Sequence, residues 1–371
     1  MRIKDFEFNL RELAGSMGDF GTLFPLAVGY FAVNGMNPSG LLVMLGMANV
    51  ITGIIYKLPM PLQPMKVIAV VAITQKWPTS RIYATGVVTG VIWLVLSLSG
   101  LIQKLAKITP RSIVRGIQIA LGVMLAIEGF KMISTGWILG AVSIVVVLIL
   151  RTNKYAPAAI VLIVLGIAIM GFKGELLGFI RPSFNNPSIT LFDPIEMWEG
   201  LVLAGFAQLP LTATNAIIAT SSLLNEYFPS KPVSEKKLAL NTGIMNITMP
   251  FFGGMPMCHG AGGLAGQYYF GARTGGTNII EGVIEISLGL FLASSISTLF
   301  TIFPRSIIGA MMFLAGFQLT KFVRDIKMGE IALILITVGL SLLVNMAVAF
   351  VSAMVIYHVL HRWKAAAKYV S

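Results

Sequence analysis

The residues best placed to do chemistry stand at two breaks in otherwise apolar sequence. The first break reads Pro59-Met60-Pro61-Leu62-Gln63-Pro64-Met65-Lys66, and the second reads Pro256-Met257-Cys258-His259-Gly260-Ala261-Gly262-Gly263. Proline withholds a backbone hydrogen bond and glycine lets the backbone approach a ligand, so each break predicts extended chain followed by a helix. A helix start offers free N–H groups and a partial positive charge, which suit an anion.

The two breaks recur at corresponding places in the two halves of the chain. Asn49 and the first break are each 197 residues before Asn246 and the second break. A third pair of markers, Pro110-Arg111-Ser112-Ile113 and Pro304-Arg305-Ser306-Ile307, is 194 residues apart. This near-constant offset predicts a duplicated unit of about half the chain, and paired interruptions of this kind indicate the binding site of a secondary transporter. The alternative is ordinary proline kinks, which need not recur in register.

Two side chains at the breaks could bind an anion directly. Lys66 falls in the first turn of the helix predicted after the first break. A cation is disfavoured at a helix start unless an anion or a carboxylate lies nearby. His259 opens the segment after the second break and could donate to an oxyanion or titrate near neutral pH. The alternatives are a lysine that snorkels to the cytoplasmic face and a histidine that is only structural.

Two carboxylates fall within apolar sequence. Asp19, in the motif Gly18-Asp19-Phe20-Gly21-Thr22, lies inside the first apolar segment, and intramembrane acids usually mark a functional site. It could pair with Lys66, carry a coupling proton, or form a purely structural salt bridge. Glu128 is the second candidate, but Lys131 at i+3 offers an ordinary ion pair on a helix surface.

A polar stripe in the second half and the missing enzyme motifs complete the chemical inventory. Gln208, Thr212, Thr214 and Asn215 could bind oxyanion oxygens or simply other helices. One Cys and three His offer no metal cluster, and no phosphate-binding Gly-x-x-x-x-Gly-Lys-Ser/Thr loop occurs. We therefore expect neither an enzyme nor a cofactor. Transport energy would come from an ion gradient or from the gradient of the substrate.

The composition predicts an all-α membrane protein. Hydrophobic residues make up 56% of the 371 residues and charged residues only 11%, against about 25% in soluble domains. Mean hydropathy is +0.85. The single cysteine excludes an internal disulfide, and the first ten residues lack the apolar core of a cleavable signal peptide.

About fourteen transmembrane segments are predicted, as two inverted repeats of seven. Because seven is odd, the second repeat must cross the membrane upside down relative to the first. Segments three and ten, directly at the breaks, are short and discontinuous. The predicted bounds are 12–33, 39–56, 63–75, 82–102, 111–132, 136–151 and 156–173 in the first half, and 198–225, 236–252, 259–271, 279–300, 304–321, 328–344 and 346–361 in the second.

The distribution of cations predicts the orientation. With the N-terminus in the cytoplasm, twenty of the 27 Lys and Arg fall inside, six fall outside and Lys66 lies within the membrane. Cytoplasmic loops carry such an excess, so the net charge of +12 reflects topology rather than nucleic-acid binding. We expect a multi-pass cell-membrane protein with both termini cytoplasmic, divided into a first repeat (1–173), an extracytoplasmic linker (174–197) and a second repeat (198–371).

These motifs resemble those of the molybdate transporter family, distant relatives of the sulfate permeases (SulP-like transporters). The resemblance is carried by Gly18–Leu26 in the first segment, by both breaks, by Pro110-Arg111-Ser112, and by the continuation of the second break to Gln267-Tyr268 and Phe270–Arg273. It implies a core domain (segments 1–4 and 8–11), a gate domain (5–7 and 12–14), and substrate between the starts of segments three and ten. The substrate-binding residues expected are Thr22, Gln63, Pro64, Met65, Lys66, Gln208, Thr212, Asn215, Cys258, His259, Gly260, Ala261 and Gly262, with Asp19 and Glu128 for coupling.

The predicted function is secondary active transport of a tetrahedral oxyanion by alternating access. Molybdate is the first candidate and sulfate the second, with a proton as the expected coupling ion and a homodimer possible. A passive anion channel on the same scaffold is the alternative. A nucleobase permease is less favoured, because segments eight and ten offer Gln208 and His259 but no acid for a base's N–H groups.

Overall fold

The computed structural model describes residues 2–150, 158–174, 181–320 and 330–367, with side chains up to residue 359. Helices dominate. In the first half they are α1 (Leu10–Ser16), a 3-10 turn (Met17–Asp19), α2 (Phe20–Ala32), α3 (Pro38–Tyr56), α4 (Lys66–Thr74), α5 (Thr79–Ser99), α6 (Ile102–Ile108), α7 (Arg111–Ile133), α8 (Trp137–Leu150) and α9 (Ala158–Phe172).

The second half begins with one long helical run and continues through shorter helices. Two π-helical turns, where each residue bonds to the fifth before it, interrupt the run from Pro194 to Tyr227. The elements are α10 (Pro194–Gly200), π (Leu201–Gly205), α11 (Phe206–Leu211), π (Thr212–Ile218), α12 (Ala219–Tyr227), α13 (Glu235–Thr248), a 3-10 turn (Met249–Phe252), α14 (Ala261–Phe270), α15 (Gly276–Phe291), α16 (Ala293–Ile302), α17 (Arg305–Thr320), α18 (Ile331–Leu343) and α19 (Met346–Ala367).

Four short strands form two antiparallel pairs. They are β1 (Arg2–Ile3), β2 (Phe6–Glu7), β3 (Gln63–Pro64) and β4 (Met257–Cys258). The β1–β2 hairpin precedes the first helix, whereas β3 and β4 come from the two breaks and pair with each other across the two halves of the chain.

Each predicted apolar segment contains a helix, but the segments differ in length. Among the described residues, α3, α5, α7 and the run from Pro194 to Tyr227 are long and apolar enough to cross a membrane. The bent pair α15–α16 would be a fifth span. Five shorter apolar helices of 10–17 residues include α8, α9, α17 and α18.

The predicted bounds fail where the chain bends or lies outside the described residues. Segment eleven, expected as one helix over 279–300, is two helices that meet at an angle of 81°. The linker expected at 174–197 already turns helical at Pro194. The inner ends of segments six, seven, twelve and thirteen fall partly at 151–157 and 321–329, and 175–180 of the linker likewise lie outside the described residues.

The long helices pack in pairs that link the two halves. Helix α3 packs along α15, α5 along α13, and α7 along α17. Small residues allow the closest of these contacts: a Cβ on Gly122 of α7 would lie 2.6 Å from the carbonyl oxygen of Gly316 of α17. Glycine at this crossing therefore lets two backbones touch, as is common between membrane helices. Helix α18 covers the other side of α7 and contacts α19.

Candidate functional site

The two breaks lie against each other, as the sequence predicts. Gln63 is paired with Cys258 and Pro64 with Met257 in the β3–β4 ladder. The amide of Met65 also donates to the carbonyl of Pro256 at 2.9 Å. Helix α4 starts directly after β3 and helix α14 shortly after β4. The pairing satisfies extended backbone that would otherwise be costly inside a membrane, and it brings two helix starts together.

Buried asparagines hold the backbone of both breaks. Asn246 of α13 accepts from the amide of Met257 at 2.8 Å and donates to its carbonyl at 2.6 Å. Asn278 of α15 makes the same pair of bonds with Met60, at 2.9 and 2.6 Å. Asn49, the repeat counterpart of Asn246, instead accepts from Asn278 at 2.8 Å. The second break is thus clamped by an asparagine of its own half of the chain, and the first break by an asparagine of the opposite half.

Gln208 and His259 support the breaks with their side chains. The Gln208 Oε1 accepts from the amide of Val67 at 2.8 Å, which satisfies one of the free N–H groups of α4. Its Nε2 donates to Thr212 Oγ1 at 2.7 Å. His259 is fully buried, with Nδ1 3.2 Å from the carbonyl oxygen of Pro61 and Nε2 3.0 Å from Asn241 Oδ1. Both polar ends of these two side chains are already engaged by protein.

A cavity of about 500 Å³ opens beside the paired breaks. This is the size typical of small-molecule sites. Its lining residues come from α2, α4, α14 and the π turn from Thr212, and from α7, α8, α9 and α17. Six of the residues predicted from sequence line it: Asp19, Thr22, Gln63, Lys66, Asn215 and Gly262.

Lys66 supplies the positive charge of this cavity. It is the first residue of α4, and its Nζ donates to Gln63 Oε1 at 3.1 Å. Three donors on an ammonium group leave capacity for further acceptors. A cation and a helix start that face the same cavity make it electropositive at this point.

The start of α14 adds backbone donors. Gly260 caps this helix without a side-chain bond, and the amides of Ala261, Gly262 and Gly263 have no hydrogen-bond partner among the described residues. Gly262 and Gly263 line the cavity. A Cβ on Gly262 would meet nothing within 4 Å, so the space beyond it is open. Free amides beside a cation are the arrangement that binds oxyanions.

Asp19 is the carboxylate of the cavity, and it is not paired with Lys66. The residue is 3% exposed, and neither carboxylate oxygen has a hydrogen-bond partner. No ion pair within 4.0 Å joins it to Lys66, although both residues are described. Of the roles expected for Asp19, direct pairing with Lys66 is therefore not formed within 4.0 Å, and the coupling role stays a prediction. Asp19 is thus a buried acid without a direct ion pair, in the same cavity as Gln63 and Lys66, which interact with it electrostatically.

The other predicted site residues do not line this cavity. Glu128 lies farther along α7 in a different cavity, bonded to Lys131 at 3.3 Å. The rest form or support the paired breaks, and direct contact with substrate stays a prediction for them. They are Pro64, Met65, Gln208, Thr212, Cys258, His259, Gly260 and Ala261.

Sequence reasoning missed two kinds of residue. Gln118 of α7 and Gln318 of α17 line the same cavity as Lys66. A lone amide in an otherwise apolar helix is the signal that could have identified each of them. Glu281 and Glu285 of α15 are also buried; Glu285 accepts from Asn49 at 2.8 Å, whereas neither carboxylate oxygen of Glu281 has a partner. A carboxylate inside the apolar segment predicted over 279–300 is the signal that could have identified both acids.

Comparison with known proteins agrees with this geometry. The sequence model of the family described as "Molybdate transporter of MFS superfamily" matches residues 11–125 and 200–319. "Molybdate transporter 1" of Arabidopsis thaliana is 33% identical over 96% of this chain and 89% of its own length.

Two solved structures share the fold at low sequence identity. The transmembrane domain of the cyanobacterial bicarbonate transporter BicA has a TM-score of 0.68, with 15% identity, over 93% of this chain and 97% of that one. Murine Slc26a9, an anion transporter, has a TM-score of 0.69, with 16% identity, over 98% and 70%. The fold is that of the SulP-like transporters, and the chain belongs to the molybdate transporter family.

Proposed function

We propose that this chain is a secondary active transporter of a tetrahedral oxyanion, with molybdate as the first candidate substrate. The observation that carries the proposal is the cavity in which Lys66 and the free amides at the start of α14 converge. Fold similarity and family membership support anion transport in general. The names of the relatives, not the geometry, favour molybdate over sulfate.

Binding would use charge and directed donors together. Lys66 would place its ammonium against one oxygen of the dianion, and the amides of Gly262 and Gly263 would donate to others. Thr22 and Asn215 offer a hydroxyl and an amide from the same side. Molybdate and sulfate are both tetrahedral dianions, so this donor set accepts either and discriminates mainly by size.

Alternating access is supported by the symmetry of the packing. If the two halves are inverted repeats, α3 corresponds to α13 and α5 to α15. The contact of α3 with α15 is then the counterpart of the contact of α13 with α5. Exchange of the two halves also turns β3 into β4 and α7 into α17, so each of these contacting pairs is its own counterpart. Such a pseudo-twofold supports the 7+7 arrangement with the substrate site on its axis.

Proton coupling would follow from Asp19. A dianion bound beside an ionised carboxylate is repelled, whereas the same carboxyl group carrying a proton is neutral. Anion and proton would therefore bind together, which is the thermodynamic requirement for symport. Asp19 is buried, unpaired and lines the cavity, so it is the residue placed for this role.

Uptake by purified protein in proteoliposomes tests the proposal. Labelled molybdate is offered with an inward proton gradient, and unlabelled tungstate, sulfate or uracil is added as competitor. We expect saturable uptake against the molybdate gradient, inhibited by tungstate and not by uracil. Uptake that never saturates and stops at equilibrium would identify a passive channel, and inhibition by uracil alone would identify a nucleobase permease. Stronger competition by sulfate than by tungstate would make sulfate the substrate.

A further inference from the structure

A second cavity, here called the vestibule, lies at the other end of the helices that line the first. Its volume is about 680 Å³, and its charged lining residues are Lys76, Glu128, Lys131 and Arg305. Helices α2, α7 and α17 contribute opposite ends to the two cavities. Along α7, the step from Gln118 to Lys131 corresponds to about 20 Å of helix at 1.5 Å per residue. The vestibule therefore lies beyond the first cavity along these helices.

The charges of the vestibule are unbalanced. Lys131 is 3.3 Å from Glu128, so these two groups offset each other. The side chains of Lys76 and Arg305 are exposed and have no ion-pair or hydrogen-bond partner in the part of the chain that the structure describes. Two free cations at the rim of a concave site concentrate anions from solution.

The local backbone structure does not favour a lysine at position 76 or an arginine at position 305. Lys76 has a φ of +52°, in the left-handed region that favours glycine or asparagine. Arg305 is the first residue of α17, where the helix dipole disfavours a positive charge. Each of the two positions is therefore unfavourable for the stability of the fold, which indicates that the positive charge itself has a role.

We propose that the vestibule is a second binding site for the tetrahedral oxyanion, in which Lys76 and Arg305 capture the anion before it reaches the site at Lys66. The inference rests on the proposed function. The guanidinium of Arg305 can hold two oxygens of one dianion side by side, and Lys76 adds a point charge from across the cavity. Thr135 and Thr301 line the same space and provide hydroxyl donors.

The chain offers matched controls for both cations. Arg111 is the repeat counterpart of Arg305 and likewise the first residue of its helix, α7. Lys57 shares the left-handed conformation of Lys76, with a φ of +55°. Neither control residue lines the vestibule, and Lys57 is paired with Asp5 at 2.6 Å. Substitution of either pair changes a left-handed position and a helix start in the same way. Only substitution of Lys76 and Arg305 removes charge from the vestibule.

The test measures initial uptake of labelled molybdate by intact cells, on whose outer face the distribution of cations predicts the vestibule. K76G/R305Q is compared with the control K57G/R111Q and with the charge-preserving K76R/R305K. We expect K76G/R305Q to lower uptake at sub-saturating molybdate about tenfold at low salt, the lower end of electrostatic steering effects. Its maximal rate stays within about twofold of wild type, because steering acts on the encounter rather than on the later steps. Added salt should narrow the difference, since exposed charges are screened.

Three outcomes decide the matter. Normal uptake and normal salt dependence in K76G/R305Q would overturn the vestibule proposal alone, because wild-type uptake still supports the transport function. An equal loss in K57G/R111Q would also overturn it, since the effect would then follow from backbone or dipole. Absence of any molybdate or sulfate uptake in wild type would overturn both proposals. If K76G/R305Q fails to fold, the single variant R305Q is compared with R111Q, which shares its position at a helix start, and normal low-salt uptake in R305Q would overturn the vestibule proposal.

Discussion

Replacement of Lys66 by alanine should separate anion binding from folding. The side chain supplies the positive charge of the cavity at the start of α4. A charge-assisted hydrogen bond contributes about 1.5–3 kcal/mol net. The Coulomb attraction of two unit charges 4 Å apart is roughly 4 kcal/mol at an effective dielectric constant of 20. We therefore expect Lys66→Ala to lose about 2–3 kcal/mol of binding free energy for molybdate, which corresponds to a Kd raised about 30- to 150-fold.

The free energy of unfolding of Lys66→Ala should rise slightly or stay unchanged. A cation in the first turn of a helix is disfavoured by roughly 0.3–1 kcal/mol, so Lys66→Ala removes a small local cost. It also frees Gln63 Oε1 from its donor, which water in the cavity can replace. Isothermal titration with molybdate and thermal unfolding in the same detergent measure the two effects. Lys104→Ala, which removes an exposed cation of α6 outside the cavity, is the control.

One result would refute this reasoning. If Lys66→Ala unfolds at the wild-type temperature and binds molybdate with wild-type Kd, the ammonium group does not contact the anion. Binding would then depend on the amides of α14 alone, and Lys66 would be a structural lysine.

Three further predictions concern the same cavity. Gly263→Ala should lower the free energy of unfolding by about 1–3 kcal/mol, because its Cβ would meet side-chain atoms of Gln63 and Asp19. Gly262→Ala should fold normally, because its Cβ meets nothing, and should weaken molybdate binding only because the methyl group occupies part of the cavity. Equal stability of the two variants would contradict this. Asp19→Asn should bind molybdate but lose pH-driven accumulation in proteoliposomes, and retained accumulation would make Asp19 structural. Asn246→Leu should lower stability by about 2–4 kcal/mol, since it leaves two buried backbone groups of β4 unpaired, and a wild-type unfolding temperature would show that the clamp is dispensable.

The sequence was sufficient to predict that the two breaks meet, because proline and glycine specify backbone directly. The breaks had to be extended, and extended chain inside a membrane has to pair with something. Their recurrence at a fixed offset indicated that each was the other's partner. Asp19 and Lys66 were both identified as site residues because a charge inside apolar sequence is rare.

What the sequence could not predict depends on the direction of side chains. Gln208 and His259 are polar residues beside the breaks, but their polar atoms are directed at backbone and at Asn241. A one-residue rotation of either helix would direct them elsewhere, and helix bounds from sequence are uncertain by more than that. The 81° bend between α15 and α16 carries no proline and falls at Leu292, so composition alone gave no reason to expect it.

The β3–β4 pairing has a consequence for biogenesis. Its strands are separated by nearly two hundred residues, so the first break enters the membrane long before its partner is synthesised. At about 5–20 residues per second, the wait is roughly 10 to 40 s. During that time the extended backbone around Gln63 has no strand to bond with, and it must be held by the insertion machinery, lipid headgroups or water. The two helix starts of the candidate site therefore come together only after residue 258 of the 371 has been synthesised, and premature release would leave an exposed strand edge.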